Sequence, residues 1–169
     1  MELDDMYWVI PGYFLAGPYP GSQDERDTFR CLRSILQKKI TYFIDLTEQG
    51  ENGLKPYAVQ LMKTAAESNM RVVYNRFSIQ DMGIPSTDQM RQILDSIDSS
   101  LAGKQNIYLH CLGGLGRTGT VVGCYLVRHG NSGEEGIARL AILRRNTPNS
   151  WRSSPETIAQ HQFILDWKE

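Results

Sequence analysis

Nowhere does this chain of 169 residues carry an apolar run approaching the ~20 residues that a bilayer-spanning helix needs. It has little excess charge of either sign. A formal net charge of −1 gives no reason to expect nucleic acid or a membrane as partner. Cysteine is scarce: Cys31, Cys111 and Cys124 are odd in number and form no CxxC pair. Neither a disulfide framework nor a cysteine zinc site is expected from them, and no cluster of other ligands suggests a metal. The opening Met1-Glu2-Leu3-Asp4-Asp5 lacks the basic-then-apolar pattern of a secretory signal. The expected compartment is therefore the reducing cytoplasm, which also keeps a reactive thiol reduced. Repeats, low-complexity tracts and linker-like breaks are missing too. Residues 1–169 are thus expected to form a single domain, with an apolar share of 41% that is ordinary for a globular chain.

Strand and helix patterns alternate along the chain. Tyr7-Trp8-Val9-Ile10, Pro11-Gly12 and Tyr13-Phe14-Leu15-Ala16 predict strand, turn and strand. Residues 23–39 place Phe29, Leu32, Ile35 and Leu36 on one helical stripe. A short buried strand is predicted over 41–46, a polar loop over 47–53, and a helix over 56–68 with Pro56 in its first turn. The next strand is predicted over 71–77. Ser86 and Gln89 stand at capping-box spacing before a helix that buries Met90, Ile93, Leu94, Ile97 and Leu101. Residues 106–110 form a further predicted strand, and 118–129 a nearly all-apolar helix. Two more helices are predicted, one capped by Ser132 and Glu135, the other starting near Ser153. This alternation implies an α/β fold with a mostly parallel central sheet flanked by helices.

Between the fifth predicted strand and the apolar helix lies His110-Cys111-Leu112-Gly113-Gly114-Leu115-Gly116-Arg117-Thr118. A seven-residue turn of this kind aims consecutive backbone N–H groups at one anion. Gly113, Gly114 and Gly116 are expected to supply the unusual angles and close approach that such a cradle needs. The following helix adds its positive N-terminal end, and Arg117 a planar fork that matches two phosphate oxygens. The same field favours the ionised form of a thiol, which makes Cys111 the expected nucleophile. The cradle runs from Leu112 to Arg117, with Leu112 and Leu115 among its residues. His110 is expected to order the loop through its ring nitrogens, and Thr118 to donate its hydroxyl to the sulfur. No Gly-Lys-Ser/Thr follows, so the loop is not a Walker-type nucleotide site.

A leaving phosphoester oxygen needs a proton, and a carboxylic acid on a loop that can close over the site is the usual donor. Asp81 follows the fourth predicted strand, where the C-terminal end of a parallel strand opens on the ligand crevice, and Gly83 and Pro85 give its loop a hinge and a rigid element. Its nearest competitor, Asp88, falls in the first turn of a helix, where acidic residues serve the dipole. Asp45 and the loop 48–51 read as structural.

His110-Cys111-x5-Arg117-Thr118 resembles the signature of the cysteine-dependent protein tyrosine and dual-specificity phosphatases. Most of the chain is similar to their compact dual-specificity class, particularly the kinase-associated phosphatase type. The similarity lies in Phe14-Leu15-Ala16, residues 77–85, the loop 113–117 and Glu156-Thr157-Ile158-Ala159-Gln160. It implies hydrolysis of phosphotyrosine, and of phosphoserine and phosphothreonine, through a phosphocysteine on Cys111, with Asp81 as general acid, no cofactor, and a phosphorylated protein as partner of a monomer. It also implies that a Gln-Thr-x-x-Gln stretch positions the hydrolytic water. Here Glu156 takes the first place and only Gln160 keeps an amide. Glu156 also stands at capping-box spacing from Ser153, so a water-positioning and a capping role are both open. Trp151-Arg152 either lines the pocket or lies on a surface loop. The alternatives are a phosphatase of phosphoinositides or RNA ends, and an inactive phosphate-binding module.

Overall fold

The computed structural model describes residues 5–169. Two short strands, β1 (Tyr7–Ile10) and β2 (Phe14–Gly17), open the fold as an antiparallel hairpin. Gly12 turns it with φ +80°, a region closed to most side chains. Helix α1 (Glu25–Gln37), strand β3 (Tyr42–Asp45), helix α2 (Ala58–Glu67) and strand β4 (Val73–Arg76) follow. Next come α3 (Thr87–Ala102), β5 (Ile107–His110), α4 (Gly116–Arg128), α5 (Gly133–Arg144) and α6 (Ile158–Leu165). The sheet order is β1-β2-β5-β3-β4, and every pairing except β1–β2 is parallel. This is one α/β domain, as the sequence pattern implies.

Strand side chains alternate between the two faces of the sheet. Phe14, Ala16, Tyr42, Ile44, Ile107 and Leu109 pack on one side in a core shared with residues of α3, α4, α5 and α6. Leu15, Phe43 and Tyr108 point to the other, against α1 and α2. Strands β2, β3 and β5 are buried throughout because helices cover both faces. Strand β4, at the sheet edge, alternates exposed and half-buried residues, and it is shorter than the predicted span 71–77.

The terminal signals decide where the helices begin. Ser132 and Glu135 form the expected capping box of α5. Before α3, Ser86 accepts from the Gln89 amide at 3.1 Å, but the Gln89 side chain donates instead to the Ser78 carbonyl at 2.8 Å. Only half of that box forms. The last helix begins at Ile158, not near Ser153, because Thr157 and Gln160 make the capping box there. Glu156 is left outside the helix and pairs with Arg152 at 3.0 Å. Helix α2 starts two residues after Pro56, since Tyr57 turns inward and is fully buried. Helix α4 begins at Gly116 and so takes Arg117 into its first turn. Gly123 lets it pack tightly on α6, where a Cβ would meet Ile164 Cδ1 at 2.3 Å.

Candidate active site

Parallel strands β3, β4 and β5 bring their C-terminal ends to one edge of the sheet, so the chain segments that leave them share a crevice. Cys111 leaves β5 directly and is 2% exposed. It lines a pocket of about 300 Å³ with Asp81, Met82, Gly116, Arg117, Glu156 and Gln160. The N-terminus of α4 has no side-chain cap bond, which leaves its first N–H groups free to meet an anion.

The three loop glycines have different roles. Gly114 has φ +70°, and a Cβ there would lie 2.5 Å from the carbonyl carbon of Gly17. Gly116 faces the pocket wall, where a Cβ would meet a Glu156 oxygen at 2.8 Å and the Gln160 amide at 3.0 and 3.1 Å. Gly113 has neither a positive φ nor a crowded Cβ, which corrects the expectation for that position. Leu112 and Gly113 line the pocket. Gly114 instead backs onto Gly17 and Pro18, and Leu115 is buried with its carbonyl accepting from the Ser154 hydroxyl at 2.8 Å.

Arg117 is 2% exposed and multiply bound. Nη1 donates to Glu51 Oε2 at 2.6 Å and to the Ile79 carbonyl at 2.9 Å. Nη2 donates to Glu51 Oε1 at 2.7 Å and lies 2.8 Å from Asp81 Oδ1. The fork–fork pairing fixes the plane of the guanidinium. Burial raises the Glu51 pKa, but the hydrogen bonds and charge of Arg117 outweigh it and leave the carboxyl below its ordinary value. Thr118 is fully buried, and its hydroxyl has no hydrogen-bond partner.

His110 sits under the loop with no exposed surface. Its Nδ1 lies 3.2 Å from the Cys111 carbonyl, which can only accept, so Nδ1 carries the proton. Nε2 then accepts from the Tyr57 hydroxyl at 2.6 Å. Burial pulls the His110 pKa down, against the raising effect of Asp45, and favours this neutral form. Asp45 is fully buried and accepts from Thr47, from Tyr74 at 2.6 Å and from Arg76 at 3.0 Å. It does not line the pocket.

Asp81 is 43% exposed and belongs to the same pocket as Cys111. Its loop makes a tight turn over residues 80–83. Met82 takes the left-handed conformation, φ 60°, and the Gly83 amide closes the turn on the Gln80 carbonyl at 2.9 Å. Asp88 lies on α3 and pairs with Arg91 at 3.0 Å. Arg152 reaches the pocket rim, whereas Trp151 is 81% exposed and does not line it. Glu156 does not cap α6 but contributes to the pocket wall. Among the described residues, no group of three or more His, Cys, Asp or Glu side chains could hold a metal ion.

The family described as "Polymorphic toxin system, DSP-PTPase phosphatase" matches residues 16–131, which include the cradle, Asp81, strands β3, β4 and β5 and the last two residues of β2. The chain belongs to the DSP-PTPase phosphatase family. Mouse dual specificity protein phosphatase CDC14B is 32% identical over 146 residues, 85% of this chain and 28% of that protein. The Arabidopsis thaliana protein named phosphatidylinositol 3,4,5-trisphosphate 3-phosphatase and protein-tyrosine-phosphatase PTEN1 is 35% identical over 96 residues, 56% of this chain. The match spans 22% of that protein, so the chain corresponds to about a quarter of the length of these relatives. Among solved structures, Tk-PTP in its active form superposes with TM-score 0.69 at 23% identity, covering 96% of each chain. Kinase associated phosphatase gives 0.67 at 18%, covering 95% of this chain and 90% of the other. Those two likenesses bear on the fold, which is that of the DSP-PTPase phosphatases.

Two site residues escape a reading of the sequence. Glu51 belongs to the loop 48–51 that reads as structural, yet it pairs with Arg117 at the site, and Tyr57 looks like ordinary helix core. A usable signal exists for Glu51: its loop leaves the C-terminal end of β3, beside β5. Glu51→Gln is expected to lower kcat/KM on an aryl phosphate by on the order of 10- to 100-fold through loss of Arg117 orientation. Because the folded pKa of Glu51 is depressed, its stabilisation is fully present above its ordinary value of 4.5 and is lost as pH falls through the lower folded value. Urea midpoints of the variant should therefore fall less steeply with acid than those of the wild type. Gly114→Ala should destabilise the fold by roughly 2–4 kcal/mol in urea titrations, from the left-handed φ and the clash with Gly17.

Proposed function

We propose that this protein hydrolyses phosphomonoesters through a covalent phosphocysteine, acting on phosphotyrosine and on phosphoserine or phosphothreonine in proteins. One observation carries the reading. Cys111, Arg117 and Asp81 line one pocket at the N-terminus of α4, with Arg117 and Asp81 2.8 Å apart. In the first step the Cys111 thiolate attacks phosphorus and the P–O bond to the leaving group breaks. Asp81 gives its proton to the departing oxygen. The phosphoryl group displaces Asp81 from Arg117 Nη2, so that the Nε–H and the freed Nη2–H, with the cradle amides, bind the phosphoryl oxygens, where charge is concentrated in the transition state. In the second step water attacks phosphorus, the Asp81 carboxylate takes its proton, and the S–P bond breaks to release phosphate. The Thr118 hydroxyl, buried and without another partner, donates to the returning thiolate. His110 acts from beneath, holding the Cys111 carbonyl.

The lining of the pocket supports a phosphoprotein over a polyphosphorylated headgroup. Beyond Arg117 its one cation is Arg152, which is already paired to the Glu156 carboxylate, and no lysine lines it. A second or third substrate phosphate would meet Asp81 and Glu156 instead of free cations. The name of the PTEN1 relative keeps phosphoinositides as the alternative.

Cys111→Ser should abolish turnover of aryl phosphates and still bind vanadate; measurable hydrolysis by this variant would sink the covalent mechanism. Asp81→Asn should reduce kcat by about 10²- to 10⁴-fold on an alkyl phosphate and much less on an aryl phosphate with a good leaving group. Assayed with Cys111→Ser as blank, phosphotyrosine and phosphoserine or phosphothreonine peptides should be turned over faster than phosphoinositides. The reverse ranking would favour the alternative.

A further inference from the structure

The segment that carries Asp81 is held by side chains from three different helices, each donating to a backbone carbonyl. Gln89 of α3 donates to Ser78 O at 2.8 Å, Arg117 of α4 to Ile79 O at 2.9 Å, and Gln160 of α6 to Gly83 O at 2.9 Å. The first two secure the chain before Asp81, and Gln160 secures it after. Gln160 is fully buried. Its Oε1 accepts from the amides of both Glu156 and Thr157 at 3.1 Å, and its amide packs against Gly116 of the cradle. The oxygen that would orient a water molecule is thus already engaged by two N–H groups, which matches the acceptor capacity of an amide carbonyl.

We propose that Gln160 is a positioning residue that latches the Asp81 loop to α6 through Gly83, presetting the acid above the cradle, and that it does not orient the hydrolytic water. This rests on the phosphatase reading above. Without the latch the loop tip, where Asp81 and Met82 are already exposed, loses its tie on the C-terminal side. The step that suffers is then protonation of the leaving oxygen, not hydrolysis of the phosphocysteine.

Gln160→Glu separates the latch from the cap. A glutamate keeps the acceptor for the Glu156 and Thr157 amides, as in a capping box, but as a carboxylate cannot donate to Gly83 O. Thr157→Ala does the opposite, removing the acceptor for the Gln160 amide while leaving the latch. With Gln160→Glu, kcat on an alkyl phosphate is expected to fall by about 10- to 100-fold, and on p-nitrophenyl phosphate by less than about 3-fold. Rapid mixing should show no burst of nitrophenol. Thr157→Ala should lower the thermal midpoint without changing the ratio of the two rates. Should Gln160→Glu fold poorly, Gln160→Met, which loses the donor and carries no charge, is to give the same leaving-group dependence. Equal losses on both substrates, or a nitrophenol burst followed by slow turnover, overturns the latch. If Asp81→Asn shows the leaving-group dependence and neither Gln160 variant does, the latch alone falls. Turnover by Cys111→Ser overturns the phosphatase reading and the latch with it.

Discussion

A buried guanidinium holds the site together. Arg117 is almost without solvent contact, yet it binds Glu51 twice, the Ile79 carbonyl once and Asp81 once. Those partners come from the segments that follow β3 and β4, while Arg117 itself lies in the first turn of the helix that follows β5. One side chain thus ties three strand ends. A buried ion pair adds little to stability after its desolvation penalty, but it tolerates few alternative geometries. The two bonds to Glu51 set the plane in which the guanidinium meets the pocket.

Beneath this clamp lies a second polar layer. Asp45, at the end of β3, gathers Thr47, Tyr74 and Arg76, and His110 with Tyr57 supports the carbonyl of Cys111. The aromatic rings of Tyr19, Tyr57 and Tyr108 surround the imidazole. Asp45, Thr47, Tyr57 and His110 are buried, so the hydrogen bonds among them have little competition from water, while Tyr74 and Arg76 close the layer at the edge strand. The cradle therefore rests on a rigid base, although the outer loop that carries Asp81 remains half exposed.

Much of this could be read from the amino acids alone, and the divide is physical. The alternation of strands and helices, and the cradle between β5 and α4, follow from local pattern and spacing, which act over a few residues. The clamp by Glu51 does not, because its partner lies far along the chain and meets it only through sheet order. The start of α6 is ambiguous in the sequence because Ser153-x-x-Glu156 and Thr157-x-x-Gln160 both have capping-box spacing; in the fold the Ser153 hydroxyl donates to Pro155 O, and the second pair caps. The glycine at 83 does not mark the left-handed position of its turn, which falls on Met82, since the turn from Gln80 requires it one residue earlier.

The strand order has a kinetic consequence. Strand β5 is inserted between β2 and β3, two strands made much earlier in the chain, so that Gly17, His110 and Asp45 stand side by side. Neither of its neighbours pairs with the other. The central contacts are therefore non-local, and such pairings are slow because loop closure precedes any gain from them. Until β5 is seated, Cys111 has no cradle and Arg117 no partners. The pocket that Cys111, Asp81 and Arg117 line thus takes shape only when the sheet is complete.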